Sequence, residues 1–111
     1  MNANEMAEMM QRAQQMQSRM GELQKQLAAR SFEASAGGGM IEATVSGGLR
    51  VLKIEIEPSL FEERDRGMIQ DLVAAAVNAA LTKAQEAVAQ EMAQMQQSML
   101  AGLPGMPGGG S

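Results

Sequence analysis

Cysteine, histidine, tryptophan and tyrosine are absent from this chain of 111 residues, and phenylalanine occurs only at Phe32 and Phe61. Without cysteine no disulfide can form, so a reducing compartment is the natural setting. Without histidine and cysteine, the usual nucleophile–base pairs, thiol redox chemistry and the two best transition-metal ligands are excluded. We therefore expect no catalytic residues, no cofactor and no metal site.

Positive charge and long apolar runs are also scarce. Nine lysines and arginines stand against thirteen acidic residues, which gives a net charge of −4 and a poor electrostatic footprint for nucleic acid. The opening MNANEMAEMM lacks the pattern of a signal peptide, and no apolar run is long enough to predict a membrane span. The composition predicts a small, acidic, cytoplasmic protein of one domain that does not act at a membrane.

The first predicted element is a helix from about Asn4 to Ala29, a stretch without proline. Asn4 precedes the first apolar position and is the predicted N-cap. The apolar residues recur at alternating steps of three and four, the spacing of a coiled-coil seam. This seam consists of Met6, Met9, Ala13, Met16, Met20, Leu23 and Leu27.

The second stretch, Ser31–Glu57, changes to a period of two, which predicts strands. Glycine clusters at 37–39 and 47–48 separate three alternating segments and supply tight turns. They predict a three-stranded antiparallel meander with one apolar face, closed by Pro58. Leu49 and Val51 are out of phase with Leu52, which indicates either a bulge or a part-buried second face near the second turn. The predicted apolar face consists of Phe32, Ala34, Ala36, Ile41, Ala43, Val45, Leu52, Ile54 and Ile56.

A short polar link leads into a second long helix, predicted from about Gly67 or Met68 to Leu100. Its apolar residues, from Ile69 to Val88, form a broad stripe at helical spacing. Residues 102–111, GLPGMPGGGS, have nothing to bury, and we expect this tail to be disordered. The prediction is an α+β fold with a single α-β-β-β-α domain over 1–101.

These helices are too long for one small globule. At 1.5 Å per residue they measure roughly 39 and 50 Å, whereas a compact chain of this size is roughly 35 Å across. Either the helices pair with each other as an antiparallel arm or a second chain covers them, and we expect both, in a homodimer with projecting helical arms. The residues predicted to pack in the core or the dimer are Met16, Met20, Leu23, Leu27, Ile54, Ile56, Leu72, Val73, Ala76, Val77 and Ala80.

Four segments carry a resemblance to a known family. MMQRAQQMQSRM (9–20) matches a first-helix pattern M-x-x-A-Q-x-M-Q, and MIEATVSG (40–47) a second strand with its glycine turn. IEIEPSLF (54–61) is similar to V-x-I-D-P-S-L-L, and DLVAAAVNAA (71–80) to D-L-V-A-A-A-x-N-D-A. Together with the ending GLPGMPG (102–108), they resemble the YbaB/EbfC family of bacterial nucleoid-associated proteins.

The resemblance covers nearly the whole chain. It implies a helix, a three-stranded antiparallel sheet and a second long helix, in a homodimer whose helices project like the arms of tweezers. It also implies binding to duplex DNA, nucleoid organisation and effects on gene expression. The sequence departs from the family pattern at Glu57, where aspartate is usual, and at Ala79, where aspartate commonly follows Asn78.

The candidate DNA contacts are the basic residues of the first helix and its end, Arg12, Arg19, Lys25 and Arg30. Arg12 and Arg19 are seven apart and share a face, and the other two are expected within about a turn of it. The alternative is a solvated face with ion pairs along the helix. The remaining cations of the central region alternate with glutamates and aspartate, and we interpret them as surface ion pairs. They are Arg50, Lys53, Arg64 and Arg66.

Two further interpretations stay open. The methionines at the helix ends are most simply packing residues, but they also suit recognition of a partner helix or, less simply, a metal bound by thioether sulfur. Glu62, Glu63 and Asp65 lie close together, and we interpret them as solvating a linker. The sequence therefore supports a DNA-binding homodimer and, as the alternative, an interaction protein whose helical arms hold a protein partner instead of DNA.

Overall fold

The computed structural model describes residues 2–62 and 65–101 and contains two helices around a small sheet. The predicted tail 102–111 and residues 63–64 of the link lie outside the described residues. A short 3₁₀ helix spans Pro58–Glu62. The principal elements are helix α1 (Ala3–Ala29), strands β1 (Ser31–Ala36), β2 (Ile41–Ser46) and β3 (Val51–Ile56), and helix α2 (Arg66–Ala101).

Helix α1 begins slightly earlier than its sequence pattern predicts. Its N-cap is Asn2, whose side-chain oxygen accepts a hydrogen bond from the backbone N–H of Glu5 at 2.9 Å. Asn4, the predicted cap, lies inside the first turn, so that prediction is wrong by two residues. Both asparagines precede the apolar seam, and the first one already satisfies the free N–H groups of the helix start.

Helix α2 also has a side-chain cap. The Oδ1 atom of Asp65 accepts a hydrogen bond from the N–H of Met68 at 3.0 Å, and α2 begins at Arg66. The predicted start at Gly67 or Met68 is therefore one or two residues late. Asp65, interpreted from the sequence as a solvating linker residue, has a definite structural role because its carboxylate also favours the positive end of the helix dipole.

The sheet is the predicted meander, in the order β1-β2-β3 with antiparallel pairing throughout. Phe32 lies opposite Val45 and Ala43 opposite Ile54, so the apolar residues share one face. The β2–β3 register shifts between Thr44 and Val45, since Thr44 pairs with Lys53 and Val45 with Val51. This shift leaves Leu52 as the extra residue and confirms the predicted bulge.

Helix α2 packs across the apolar face of β1 and β2. Ala76, Ala80 and Ala84 are fully buried, and their small side chains let the helix approach the sheet closely. The predicted packing residues Leu72, Val73 and Val77 are half-buried around them and contact the core. Ile41, Val45 and Leu60 are the largest fully buried side chains.

Strand β3 is an edge strand that α2 hardly reaches. Ile56 is half-buried against the core, but Ile54 is 40% exposed and Leu52 is 56% exposed. Ile54 was predicted to pack in the core or the dimer, and within one chain it does not pack in the core. The reason is geometric: a single helix, about 10 Å across, covers about two strands of a sheet whose strands are about 4.8 Å apart.

The apolar seam of α1 is mostly uncovered within the chain. Leu27, near the sheet, is buried, and Met16, Met20 and Leu23 are half-buried. Met6 and Met9 are exposed by more than half. With a radius of gyration of 21.5 Å and a length of 74 Å, the chain is far more extended than a compact chain of this size, whose radius is about 13 Å.

The pairing of α1 with α2 is limited. The two helices face each other across an open groove of about 340 Å³, lined by Leu23 and Gln26 on one side and by Glu91 and Met95 on the other. They do not form the closely packed antiparallel arm expected within one chain. Neither of the described helices has a stretch apolar and long enough to cross a membrane.

Candidate nucleic-acid interface

The four predicted DNA contacts are all exposed, but only Arg12 and Arg19 share one face of a helix. Arg12 and Arg19 lie on the same face of α1, since seven residues complete almost two turns. We call these two residues the arm pair. Lys25 lies about 120° around the helix from Arg19, so it does not extend the face that carries the arm pair.

Arg30 lies outside the helix. It is the C-cap of α1, with extended backbone, and its N–H donates to the carbonyl oxygen of Leu27 at 3.2 Å. Its guanidinium carbon lies 5.1 Å from the centre of the Phe32 ring. This cation–π contact holds the arginine against the start of β1 while leaving it exposed.

Arg19 lies between two different surroundings. On one side it lines the groove between the helices together with Glu22 and Glu91. On the other it borders an open depression of about 570 Å³ whose remaining lining residues are uncharged, Gln11, Gln14, Gln15 and Ser18. Glutamine and serine side chains are frequent phosphate contacts. The sequence analysis missed these glutamines because they follow no charge pattern.

The interpretation of the other cations as ion-paired is confirmed for Lys53. Its Nζ contacts the Glu55 carboxylate two residues away on the same face of β3, and this hydrogen bond raises the pKa of Lys53. Lys83 donates from Nζ to the backbone oxygen of Glu33 at 3.1 Å. Within residues 2–62 and 65–101, the structure contains no ion pair to Arg50. Arg64 lies outside these ranges.

The sheet carries a row of carboxylates on the face opposite α2. Glu42 lies directly opposite Glu55 on β3 and near Glu33 on β1. The Glu33 carboxylate chiefly, with partial desolvation and a smaller effect of Glu55, raises the pKa of Glu42 above its ordinary value, and Lys53 opposes this only in part. The negative charge of this face is unfavourable for contact with a phosphate backbone.

The carboxylates are not arranged for metal binding. In the part of the chain that the structure describes, no group of three or more acidic side chains is placed to hold a metal ion. Of the predicted linker acids, Asp65 is engaged in capping α2, and Glu63 lies outside the described residues.

A three-stranded sheet with one long helix packed across it and a second long, largely exposed helix that carries basic residues defines a class, the small α+β protein with a projecting helical arm. The chain belongs to the YbaB/EbfC DNA-binding family, whose model matches residues 1–99.

Relatives agree with this assignment, and a solved structure shares the fold. The chain is 40% identical to a nucleoid-associated protein of Pelotomaculum thermopropionicum over 86% of its length and 90% of the relative's. It is 42% identical to a nucleoid-associated protein of Alkaliphilus metalliredigens over 94% of this chain and 90% of that one. A crystal structure of an uncharacterized Helicobacter pylori protein shares the fold, with a TM-score of 0.56 and 22% identity, covering 79% of this chain and 98% of that chain.

Proposed function

We propose that this protein binds duplex DNA as a homodimer, mainly through backbone phosphates, and acts in the organisation of the cytoplasmic nucleoid and in gene expression. The observation that carries the proposal is the match of residues 1–99 to a DNA-binding family. Nucleoid-associated relatives of similar length support the cellular role.

The arm pair is the proposed phosphate contact on α1. Arg12 and Arg19 are exposed on one face of the helix, and the uncharged glutamine side chains beside Arg19 can donate hydrogen bonds to the same backbone. With a net charge of −4, the protein gains DNA affinity only where cations are separated from carboxylates. Binding of this kind carries little base specificity and falls steeply with salt.

The homodimer is proposed from apolar surface that one chain leaves uncovered. Leu52 and Ile54 of β3 and Met6 and Met9 of α1 are 40–56% exposed. Such extended apolar surface on a small protein marks an association site. A second copy would cover the edge strand and the seam together and would present the arm pair twice to one duplex.

The dimer can be tested by sedimentation equilibrium at micromolar protein. We expect a dimer for the wild-type chain and dissociation for Ile54→Glu, because a carboxylate would be buried in the interface. The control is Ala79→Glu, which places the same group on an exposed face of α2. A wild-type monomer with full helicity, or a dimer unaffected by Ile54→Glu, would contradict this part of the proposal.

DNA binding can be tested by fluorescence anisotropy with a labelled duplex at several salt concentrations. We expect binding with a marked salt dependence, and a slope reduced by about two per subunit in the double variant Arg12→Ala, Arg19→Ala. The double variant Lys53→Ala, Lys83→Ala makes the same change in net charge at cations that already have partners.

The variant with all four substitutions, Arg12→Ala, Arg19→Ala, Lys25→Ala and Arg30→Ala, should lose most of its affinity for duplex DNA while remaining dimeric. Equal binding by the arm-pair and control variants would reject the arm pair as the contact. Absence of wild-type binding at low salt would reject the proposal and favour a protein partner at the methionine-rich helix ends.

A further inference from the structure

The two ends of the sheet carry opposite charge. At the end with the β1–β2 turn, Glu42, Glu55 and Glu57 line an open depression of about 400 Å³. At the other end, where β1 and β3 begin and β2 finishes, the flanking residues are Arg30 and Arg50. This separation is not visible in the sequence because cations and anions alternate along the chain. Antiparallel pairing of the strands places the anions at one end of the sheet and the cations at the other.

Backbone hydrogen bonds fix the two arginines on either side of one peptide segment. The N–H of Gly47 donates to the carbonyl oxygen of Arg30 at 2.9 Å, and the N–H of Ser46 donates to that of Arg50 at 2.8 Å. Arg30 and Arg50 therefore flank the end of β2 from its two neighbouring strands. Their backbones are separated by about two strand spacings, or about 10 Å.

Lys25 belongs to the same end of the molecule. It lies one turn before Ala28 on α1, and the Cβ atom of Ala28 is placed 3.6 Å from where a Cβ atom on Gly48 would be, so this part of α1 borders the β2–β3 turn. Its side chain is thus on the side of α1 that contacts the β2–β3 turn. We call Lys25, Arg30 and Arg50 the base cluster, because it lies where the α1 arm joins the sheet.

The β2–β3 turn is held in a specific conformation. The N–H of Leu49 donates to the carbonyl oxygen of Ser46 at 2.9 Å, and the N–H of Arg50 donates to the Ser46 hydroxyl at 3.3 Å. Leu49 has a φ of 63°, a left-handed conformation that leucine rarely adopts. The turn is thereby fixed against α1, and it holds the backbone of the exposed Arg50 in place.

We infer that the base cluster is a second phosphate-binding surface for duplex DNA, with Arg50 as its central contact. This inference rests on the proposed function. It adds Arg50, which the sequence analysis interpreted as a surface ion-pairing residue, to Lys25 and Arg30, which were already candidate DNA contacts. Lys25 lies about 20 Å along the arm from Arg12, which corresponds to about six base pairs of duplex. Because Lys25 faces about 120° away from Arg19 around α1, the base cluster is a contact surface separate from the arm pair and does not continue it along the helix.

The test compares Arg50→Gln with Lys53→Gln in the full-length protein, by anisotropy of a labelled duplex across a salt series. The two variants lose the same charge three residues apart, but Lys53 is already engaged with Glu55. One phosphate contact is worth about eightfold in affinity at 0.1 M salt and about one unit of salt slope. We expect a loss of this size per subunit for Arg50→Gln, less than twofold for Lys53→Gln, and substantial recovery for Arg50→Lys.

Structural damage is checked in the same experiment. The hydrogen bonds that hold Arg50 use its backbone atoms, so these variants should keep the circular dichroism and sedimentation of the wild type. Equal binding by wild type, Arg50→Gln and Lys53→Gln, with the salt dependence intact, would overturn the inference and leave the proposed function standing. A wild-type protein that binds no DNA would overturn both.

Discussion

Gly47 lies directly against the carbonyl oxygen of Leu27, so closely that a Cβ atom on this glycine would overlap it. The contact joins the last turn of α1 to the end of β2, and α1 has few other tertiary contacts. It therefore fixes where the arm leaves the sheet and brings Arg30 beside the β2–β3 turn. The MIEATVSG segment (40–47) ends in glycine because any side chain at this position would collide with the Leu27 carbonyl group.

We predict that Gly47→Ala destabilises the protein by about 2–3 kcal/mol, since the last turn of α1 must move away from the sheet. Gly48→Ala is the control, because its Cβ would meet its neighbours at ordinary contact distances of 3.6 Å and beyond. Urea denaturation at one fixed protein concentration measures both. Equal stability of the two variants would show that α1 is not held by this contact.

We predict that Leu49→Gly leaves stability unchanged or raises it by up to about 1 kcal/mol. A left-handed leucine costs about 1–2 kcal/mol, and glycine removes that cost while adding flexibility to the unfolded chain. Leu49 is 46% exposed, so little apolar burial is lost. Thermal unfolding followed by circular dichroism provides the measurement, and a loss of more than 1 kcal/mol would mean that the Leu49 side chain packs against another surface.

We predict that Ala80→Leu destabilises the fold by about 1–3 kcal/mol because it forces α2 away from β1 and β2. Ala80 is completely buried, with a relative exposure of 0%. Ala79→Leu, on the exposed side of the same helix, should have an effect within about 0.5 kcal/mol of zero. Similar losses in both variants would contradict the packing of α2 on the sheet.

We predict that Glu42→Gln is more stable than the wild type at pH 7 and loses this advantage in mild acid. The raised pKa of Glu42, caused chiefly by Glu33, means that the folded chain binds this proton more tightly than the unfolded chain. The associated stability is fully present below the ordinary pKa of 4.5 and is lost as the pH rises through the folded value. The denaturation midpoints of both proteins, measured from pH 4 to pH 7, should converge at the acid end. A difference that stays constant with pH would show that repulsion between the carboxylates does not destabilise the folded chain.

The local elements were predictable from the sequence. Alternation at 31–36, 41–46 and 52–57 predicted the three strands to within one residue, and the change of phase near Leu49 offered a bulge as one of two alternatives, which the structure places at Leu52. The stripe of α2 predicted the buried alanines. These features follow from the repeat of a helix or a strand, which each short segment expresses without its neighbours.

The candidate site was predicted only in part. The arm pair came from a spacing of seven along one helix, which is a local property. Lys25 and Arg30 were expected within about a turn of this face. Arg30 is the C-cap of α1, and spacing along the chain says little about the direction of a residue at or beyond the helix end. Arg50 was interpreted as ion-paired because glutamates surround it in sequence, although pairing of the strands places those glutamates at the opposite end of the sheet.

The sequence by itself therefore determined the type and order of the helices and strands, the residues of each apolar face and the excess length of the helices. The tertiary structure decided which part of each apolar face is covered, leaving Ile54 open while burying Ala80. It also decided which charges are neighbours. The physical reason is that periodicity is set by the geometry of the local backbone, whereas coverage and charge separation depend on contacts between segments far apart in the chain.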